Sequence, residues 1–408
     1  MITMVPMQVP RRWLVLFGAG LLFWISLSAF LPTLPLYVQD LGGSPNDIGM
    51  VMASFAVGLL LSRTWLGQIG ERWGYKAVLA LGMGSLVVAP LGYGLFPLIP
   101  VIMLMRGIQG ISIAAFATGY MALVANWAEP ARRGRVIGIM SLVNPIGMSL
   151  GPVVGESLRL QVGYGWLFAV MGGIAALGML VIGAMPEDPH PPRKGQGSLP
   201  LWGLLKEARI RIPTVVMFFV GLAFGTLIIF VAVFMRAMGS SLNAGWFYGV
   251  AAVASFGMRF VAGQGSDRWG RGVWISLCLL LGIVSLLLLS GASQDWQFLL
   301  AGALQGAGFG LMIPMFTALV ADRSYPYERA VLLNLCTGGF DAGIAIAGPV
   351  AGALAEAVGY RATFLWAAGM GGVGLVVFLL RGNPSYKGSL KFALGQAADG
   401  YALTEPPS

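Results

Sequence analysis

The chain has 408 residues, of which 57% are hydrophobic and only 10% charged, with a mean hydropathy of +0.80. A soluble domain carries about 25% charged residues, so this composition excludes a water-soluble protein. The formal charge of +9 would suit a nucleic-acid binder, but the basic residues alternate with apolar runs instead of forming a patch, which excludes that reading too.

A bilayer core of about 30 Å is crossed by about 20 apolar residues in a helix. Twelve such runs are present, at 13–36, 46–69, 76–96, 98–123, 136–158, 164–184, 212–236, 243–265, 273–292, 297–321, 331–355 and 362–381. Of the 25 Lys and Arg, 19 fall in the N-terminal tail, the loops after even-numbered spans and the C-terminal tail. Arg63, Arg106 and Arg259 lie inside spans, and Arg159, Arg236 and Arg361 sit by the opposite loops. Basic residues concentrate on the cytoplasmic side, so both termini are expected there, in a plasma or inner membrane. The expected fold is all-α and integral to the membrane, in two pseudo-symmetric six-helix bundles. A cytoplasmic tail (1–12) leads into the first bundle (13–184). A cytoplasmic linker with an interfacial helix (185–211) precedes the second bundle (212–381), and a polar tail without a visible motif (382–408) follows. The first span is too long for a signal-peptide core and is kept as a helix. Cys278 and Cys336 fall in different spans and read as buried thiols.

The first span ends in Phe30-Leu-Pro-Thr-Leu-Pro-Leu-Tyr37. Pro32 and Pro35 each remove a backbone bond, which predicts a bend. Between the second and third spans stands Arg63-Thr-Trp-Leu-Gly-Gln-Ile-Gly-Glu-Arg-Trp-Gly-Tyr-Lys76, and a close copy occupies 259–272. At an offset of 196, Arg63 falls on Arg259, Gly67 on Gly263, Glu71 on Asp267, Arg72 on Arg268 and Gly74 on Gly270. Gln109-Gly110 falls on Gln305-Gly306 at the same offset, and Gly151-Pro152 meets Gly348-Pro349 at 197. A parallel repeat of this size is a transporter signature. Helices 5 and 11 present their positive N-termini on the cytoplasmic side. Glu71 and Asp267 are therefore candidates to latch the cytoplasmic ends of the two halves together.

Arg106 lies within the fourth span, followed by Gln109 and Gly110. A guanidinium at that depth is expensive and faces a cavity or a partner. It reads either as a coupling residue or as a structural Arg bonded to helix carbonyls. The fifth span carries Gly147, Gly151, Pro152, Gly155 and Glu156. Small residues four apart let helices pack closely, and Glu156 reads as a solvated mouth carboxylate or an outer protonation site. His190, the one histidine, sits among prolines in the linker and makes a poor catalytic or metal residue. In the eleventh span, Asp341 is the deepest carboxylate, with Asn144 at almost the equivalent place in the fifth. Burial disfavours its charge, which suits proton carrying or cation binding; a neutral structural Asp or a partner for Arg106 are the alternatives. Candidate cavity residues are Trp24, Ser26, Ser28, Phe116, Thr118, Tyr120, Asn144, Gln305, Phe316 and Thr317. So apolar a pocket suits a lipophilic or amphipathic solute.

These stretches resemble three motifs of the major facilitator superfamily, over about 13–381. The turn resembles motif A, Gly-x-Leu-Ala-Asp-Arg-x-Gly-Arg-Lys, through Gly67, Glu71, Arg72, Gly74 and Lys76, and again through Gly263, Asp267, Arg268, Gly270 and Arg271. Glu71 replaces the usual Asp and Tyr75 a basic residue. Arg106, Gln109 and Gly110 resemble motif B, which implies a part in proton coupling; the second copy has Gly302 where Arg106 would fall. Gly147, Gly151, Pro152 and Gly155 resemble motif C, associated with exporters, with Glu156 in place of a glycine. The resemblance implies a twelve-helix drug or metabolite:proton antiporter that works by alternating access, with coupling at Asp341, Arg106 and Glu156. A symporter or uniporter importing a nutrient and a non-transporting membrane sensor are the alternatives. Protons, a small-molecule substrate and the bilayer are the expected partners, and a monomer the expected state. No cofactor or metal is called for. No Walker loop, His-Glu-x-x-His or nucleophile elbow points to an enzyme.

Overall fold

The structure, a computed structural model, describes residues 10–129, 132–185, 201–325 and 327–403, apart from the side chains at 64, 134, 201, 202, 260, 262–268 and 330. The N-terminal tail before residue 10, most of the linker with His190, and the surroundings of Gly263, Asp267 and Arg268 therefore lie outside the described residues.

The helices are α1 (Arg11–Ser28), α2 (Phe30–Asp40), α3 (Pro45–Trp73), α4 (Tyr75–Leu95), α5 (Ile99–Trp127), α6 (Arg133–Met140), α7 (Val143–Gly183), α8 (Leu201–Lys206), α9 (Ala208–Ala237), α10 (Gly245–Trp269), α11 (Arg271–Gly291), α12 (Asp295–Asp322), α13 (Arg329–Arg381) and α14 (Tyr386–Ala393). Among the described residues, nine helical stretches are long and apolar enough to cross a bilayer. Two of them, of 49 and 51 residues, are about twice the needed length. Each is broken once, α7 at Gly163 and α13 at Gly359, so each makes two crossings. With α10, the count is twelve.

The repeat is visible in the backbone. Gly74 (φ 84°) and Gly270 (φ 78°) reverse the chain between crossings, and so do Gly163 (φ 84°) and Gly359 (φ 81°). Each pair is 196 residues apart, and each takes a conformation that a side chain would strain. The expected bend in the first crossing falls at Ala29, between α1 and α2, just ahead of Pro32. Thr33 Oγ1 donates 2.8 Å to the Ala29 carbonyl, which occupies a backbone acceptor at the bend.

Apolar packing divides by depth. One core runs from Phe30, Tyr37 and Phe168 to Phe230, Phe234 and Phe298, and so joins both bundles on the side away from the termini. On the side of the termini the two largest cores are separate, with a small cluster at Leu66, Val78, Ala114 and Ala115 beside them. Of the two, one lies around Phe23, Phe116 and Tyr120 in the first bundle, the other around Ile275, Phe316 and Phe378 in the second. The bundles are thus welded at one end and parted at the other. Cys278 and Cys336 are buried free thiols in the second of these cores.

The C-terminal tail is more ordered than its sequence suggests. Ser385 caps α14, whose Phe392 packs against Phe378. Asp399 accepts from Arg323 at 2.7 and 2.9 Å, and Arg323, wholly buried, also donates 2.7 Å to the Gly382 carbonyl. The ion pair closes the tail onto the ends of α12 and α13.

Candidate functional site

Two helix pairs carry the close backbone contacts between the bundles, α3 with α13 and α7 with α10. In the first pair, a Cβ added at Gly49 would fall 2.1 Å from the Gly348 carbonyl, and one at Gly352 3.0 Å from Asn46, so small residues let these helices touch. In the second, Gly245 lies equally close to Pro152 and Val153. Charge ties the same end: Arg236 donates 2.5 Å to Asp40 and 3.2 Å to Gln39, across the α2–α9 contact.

Gly49, Arg63 and Gly67 follow one another at 14 and 4 residues, which places them on one face of α3. That face is closed against α13 at Gly49 and open at Gly67, where a Cβ would meet nothing within 4 Å. Between the two, where contact gives way to gap, Arg63 donates to Asp341 of α13 in a short ion pair. Both side chains are partly exposed, 33% and 18%.

Asp341 is therefore met by Arg63 and not, as sequence alone allowed, by Arg106. Arg106 is 3% exposed inside the first bundle. Its Nη1 donates 2.5 Å to Gln109 Oε1, which also accepts from Tyr93 at 2.9 Å, and its guanidinium lies 4.6 Å from the Phe55 ring centre. Arg106 Nε and Gln109 Nε2 are buried without partners. Glu156 also departs from expectation. It is not a solvated mouth group but 2% exposed, held by Arg159 through bonds of 2.6 and 2.9 Å.

The candidate cavity residues separate into two sets. Asn144 and Thr317 are exposed and Thr118 half-buried. Trp24, Ser26, Ser28, Phe116, Tyr120, Gln305 and Phe316 are packed away. Ser26 Oγ donates 3.0 Å to the Met171 carbonyl, and Tyr120 donates 3.1 Å to that of Met140 while its ring stacks on Phe116. These groups satisfy helix carbonyls and fill the core instead of meeting solute. A separate apolar groove of about 680 Å³ opens along α3, α5 and α13, past Val57, Leu61, Leu104 and Ala345, and includes none of these candidates.

The Major Facilitator Superfamily model matches residues 16–290 and 266–398. The chain belongs to the major facilitator superfamily. It is 27% identical over 369 residues to the uncharacterized MFS-type transporter YhhS of Escherichia coli (strain K12), covering 87% of this chain and 88% of that one. It is 25% identical over 179 residues to the quinolone resistance protein NorA of Staphylococcus aureus (strain MRSA252), covering 44% and 46%. Among solved structures, the nucleoside transporter NupG superposes with a TM-score of 0.76 at 15% identity, over 90% of this chain and 98% of that one.

Within this facilitator the motif residues have definite places. In motif C, Cβ atoms at Gly147, Gly151 and Gly155 would collide with Trp24, Ser28 and Ala29, so the motif seats α7 on α1, while Pro152 reaches across to Gly245. In motif B, Gly110 lets α5 touch the backbone of α3 at Phe55, and Gly306 repeats this against Ala251. In motif A, Glu71 and Arg72 are exposed beside the gap, and Glu71 has no bonded partner among the described residues. Lys76 does not reach the other bundle. It donates 2.9 and 2.6 Å to the carbonyls of Gly183 and Met185 and so caps the end of α7 within its own half. Arg271 likewise stays in its half, 2.7 Å from Asp322.

Sequence reasoning missed Arg63 as a partner of Asp341, and Arg323 with Asp399. A signal existed for the first, since Arg63 is one of three arginines inside spans. Nothing local marked the second.

Proposed function

We propose that this facilitator is a secondary transporter that exports a small lipophilic or amphipathic solute, a drug or metabolite, in exchange for protons. It works as a monomer in the plasma or inner membrane, with both termini in the cytoplasm. The observation that carries the reading is the Arg63–Asp341 pair, which spans the two bundles where contact turns into gap. While Asp341 is ionised, its attraction to Arg63 holds α3 to α13 at mid-depth. A proton arriving at the carboxylate removes that charge and weakens the tie, so proton occupancy biases how the bundles rock. Glu71, exposed beside the gap, is free to dock on the other bundle when the cytoplasmic side closes, with Asp267 as its counterpart. Arg106 and Glu156 contribute fixed charge within the first bundle. Motif C, and a partial likeness to a protein named for quinolone resistance, support the outward direction.

The test is transport into proteoliposomes under an imposed pH gradient, with wild type and Asp341→Asn. Wild type should accumulate an amphipathic probe against its gradient, and the mutant should fall to the level of protein-free vesicles. Accumulation kept by the mutant would move coupling away from Asp341. Movement indifferent to the gradient would make the protein a uniporter.

A further inference from the structure

The contacts of α3 with α13 and of α10 with α7 are images of each other under the repeat. Gly49 and Gly245 are 196 apart, Arg63 and Arg259 also, and Asp341 and Asn144 are 197 apart. Both crossings close on the side away from the termini, through Gly49 on Gly348 in one and Gly245 on Pro152 and Val153 in the other. Arg259 shares a face of α10 with Gly245, as Arg63 shares one of α3 with Gly49. Deeper in, the images part. Arg63 has a carboxylate across the gap, whereas Arg259 has an amide at the matching place.

Among the described residues Arg259 makes no ion pair. Its Nη2 donates 3.1 Å to the Gly310 carbonyl of its own bundle, and its Nε is buried without a partner. Asn144 is exposed, and its side chain makes no hydrogen bond among the described residues. Of the carboxylates on the facing helices, Asp341 is paired with Arg63 and Glu156 with Arg159. Arg106 has no acid partner either, so the membrane interior holds more positive than negative charge. A guanidinium at membrane depth is costly until something neutralises it, and the described residues offer nothing more.

We infer that Arg259 binds the anionic group of the transported solute. A carboxylate, sulfonate or similar oxyanion on an apolar body takes, at this crossing, the place that Asp341 takes at the other. The planar fork of Arg259 donates to two oxygens side by side, and the Asn144 amide supplies a further donor. The inference rests on the reading of the chain as a carrier of amphipathic solutes and narrows it to amphipathic anions. It also gives the open state its charge logic: the solute enters from the side of the termini, where the bundles are parted, and brings the missing negative charge.

The test is equilibrium binding to the purified full-length protein, without a pH gradient, so a failure of proton coupling leaves it readable. Three probes share one apolar body: 1-naphthalenesulfonate, the neutral 1-naphthalenesulfonamide and the cationic 1-naphthyltrimethylammonium. Wild type should bind the sulfonate best. Arg259→Gln should weaken it by about tenfold or more, as for loss of one partner of a desolvated charge pair, and Arg259→Lys should retain part of the affinity. Asn144→Asp should also weaken it, by giving Arg259 an internal counter-ion, and this variant keeps the arginine should Arg259→Gln fold poorly. Equal binding of the three probes, no binding of the sulfonate, or sulfonate affinity unchanged in Arg259→Gln and Asn144→Asp would each overturn the inference. Chloride supplies the same charge from another source. If chloride raises the melting temperature of wild type but not of Arg259→Gln while the sulfonate does not bind, the site holds an inorganic ion and the solute reading fails.

Discussion

The two crossings between the bundles were built from one repeated unit, yet only one of them is electrically complete. At α3–α13, Arg63 and Asp341 neutralise each other across the gap; at α7–α10, Arg259 bonds only the Gly310 carbonyl among the described residues, and the repeat puts Asn144 where Asp341 would correspond. Gly49 and its image Gly245 allow close approach at both, but the partner helices differ: Gly348 and Gly352 of α13 face α3, whereas Gly151 and Gly155 of α7 pack on α1 within their own bundle. The electrical difference is a carboxylate against an amide. A duplicated scaffold can thus keep a close glycine contact twice while giving one copy a titratable tie and leaving the other an unfilled cation. In the proposed function, coupling and solute binding occupy separate crossings of the same device.

Exchanging the two residues puts the most strain on that comparison. In Asp341→Asn with Asn144→Asp, the acid moves to the other crossing, so the titratable tie is gone and Arg259 is already occupied. Uptake under a pH gradient should fall to the protein-free background; recovery of transport would make the crossings interchangeable. Asp399→Asn then tests whether any lost buried charge has the same effect. Arg323 is fully buried and would lose its acid, at a cost of about 3 kcal/mol. The melting temperature should drop while the dependence on the pH gradient persists. A loss of coupling here would mean the crossings are not special.

Smaller effects sharpen the picture. Glu71→Gln and Asp267→Asn should slow transport severalfold with little change in expressed protein, and unchanged rates in both would end the latch reading. A double-mutant cycle on Arg63→Gln and Asp341→Asn, read by thermal unfolding, should give a coupling of about 1 kcal/mol, since the pair is partly exposed. Additive effects would make the tie ornamental. The smallest concerns Glu328, at the face of the termini. Burial raises its carboxyl, but the bonds from Arg209 and the Tyr325 amide outweigh this and leave it below the ordinary value. Its stabilisation is complete above the unfolded value of about 4.3 and is lost as pH falls through the folded one. Glu328→Gln should flatten the acid edge of a stability–pH curve, and an unchanged edge would assign it to other carboxylates.

The two bundles also differ in how their last helices end. Lys76, from the turn between α3 and α4, caps the carbonyls at the end of α7. Its image is Gly272, which a side chain could not replace because Phe392 of α14 lies against it. There Arg323, from the end of α12, takes over the carbonyl of Gly382 and binds the tail through Asp399. The same need, to satisfy helix-end carbonyls near the membrane surface, is met from different places in the chain.

Much of the fold was legible in the amino-acid sequence, because membrane spans and chain reversals are properties of neighbouring residues. Apolar runs of bilayer length mark the crossings, and the duplicated turn stretches mark the reversals at Gly74 and Gly270. The small residues of α7 were rightly read as a packing face. The fate of individual polar groups was less legible. Ser26 and Tyr120 were candidates for a cavity and instead serve buried carbonyls, since hydropathy does not say which way a helix is turned. For Glu156 the sequence leaves open a solvated mouth carboxylate or an outer protonation site, although Arg159 three residues on is its partner.

By itself, then, the sequence determined that this protein crosses a membrane twelve times, as a repeated unit with an acid and three arginines inside it. Those facts follow from the transfer cost of side chains and from the backbone freedom of glycine, both local. Only the tertiary structure decided that Asp341 meets Arg63, 278 residues away, and that Arg106 is sealed among Gln109, Tyr93 and Phe55. Only it shows that Arg259 has no acid partner among the described residues. Ion pairing depends on distances of a few ångströms between helices, and those are set by how whole bundles pack.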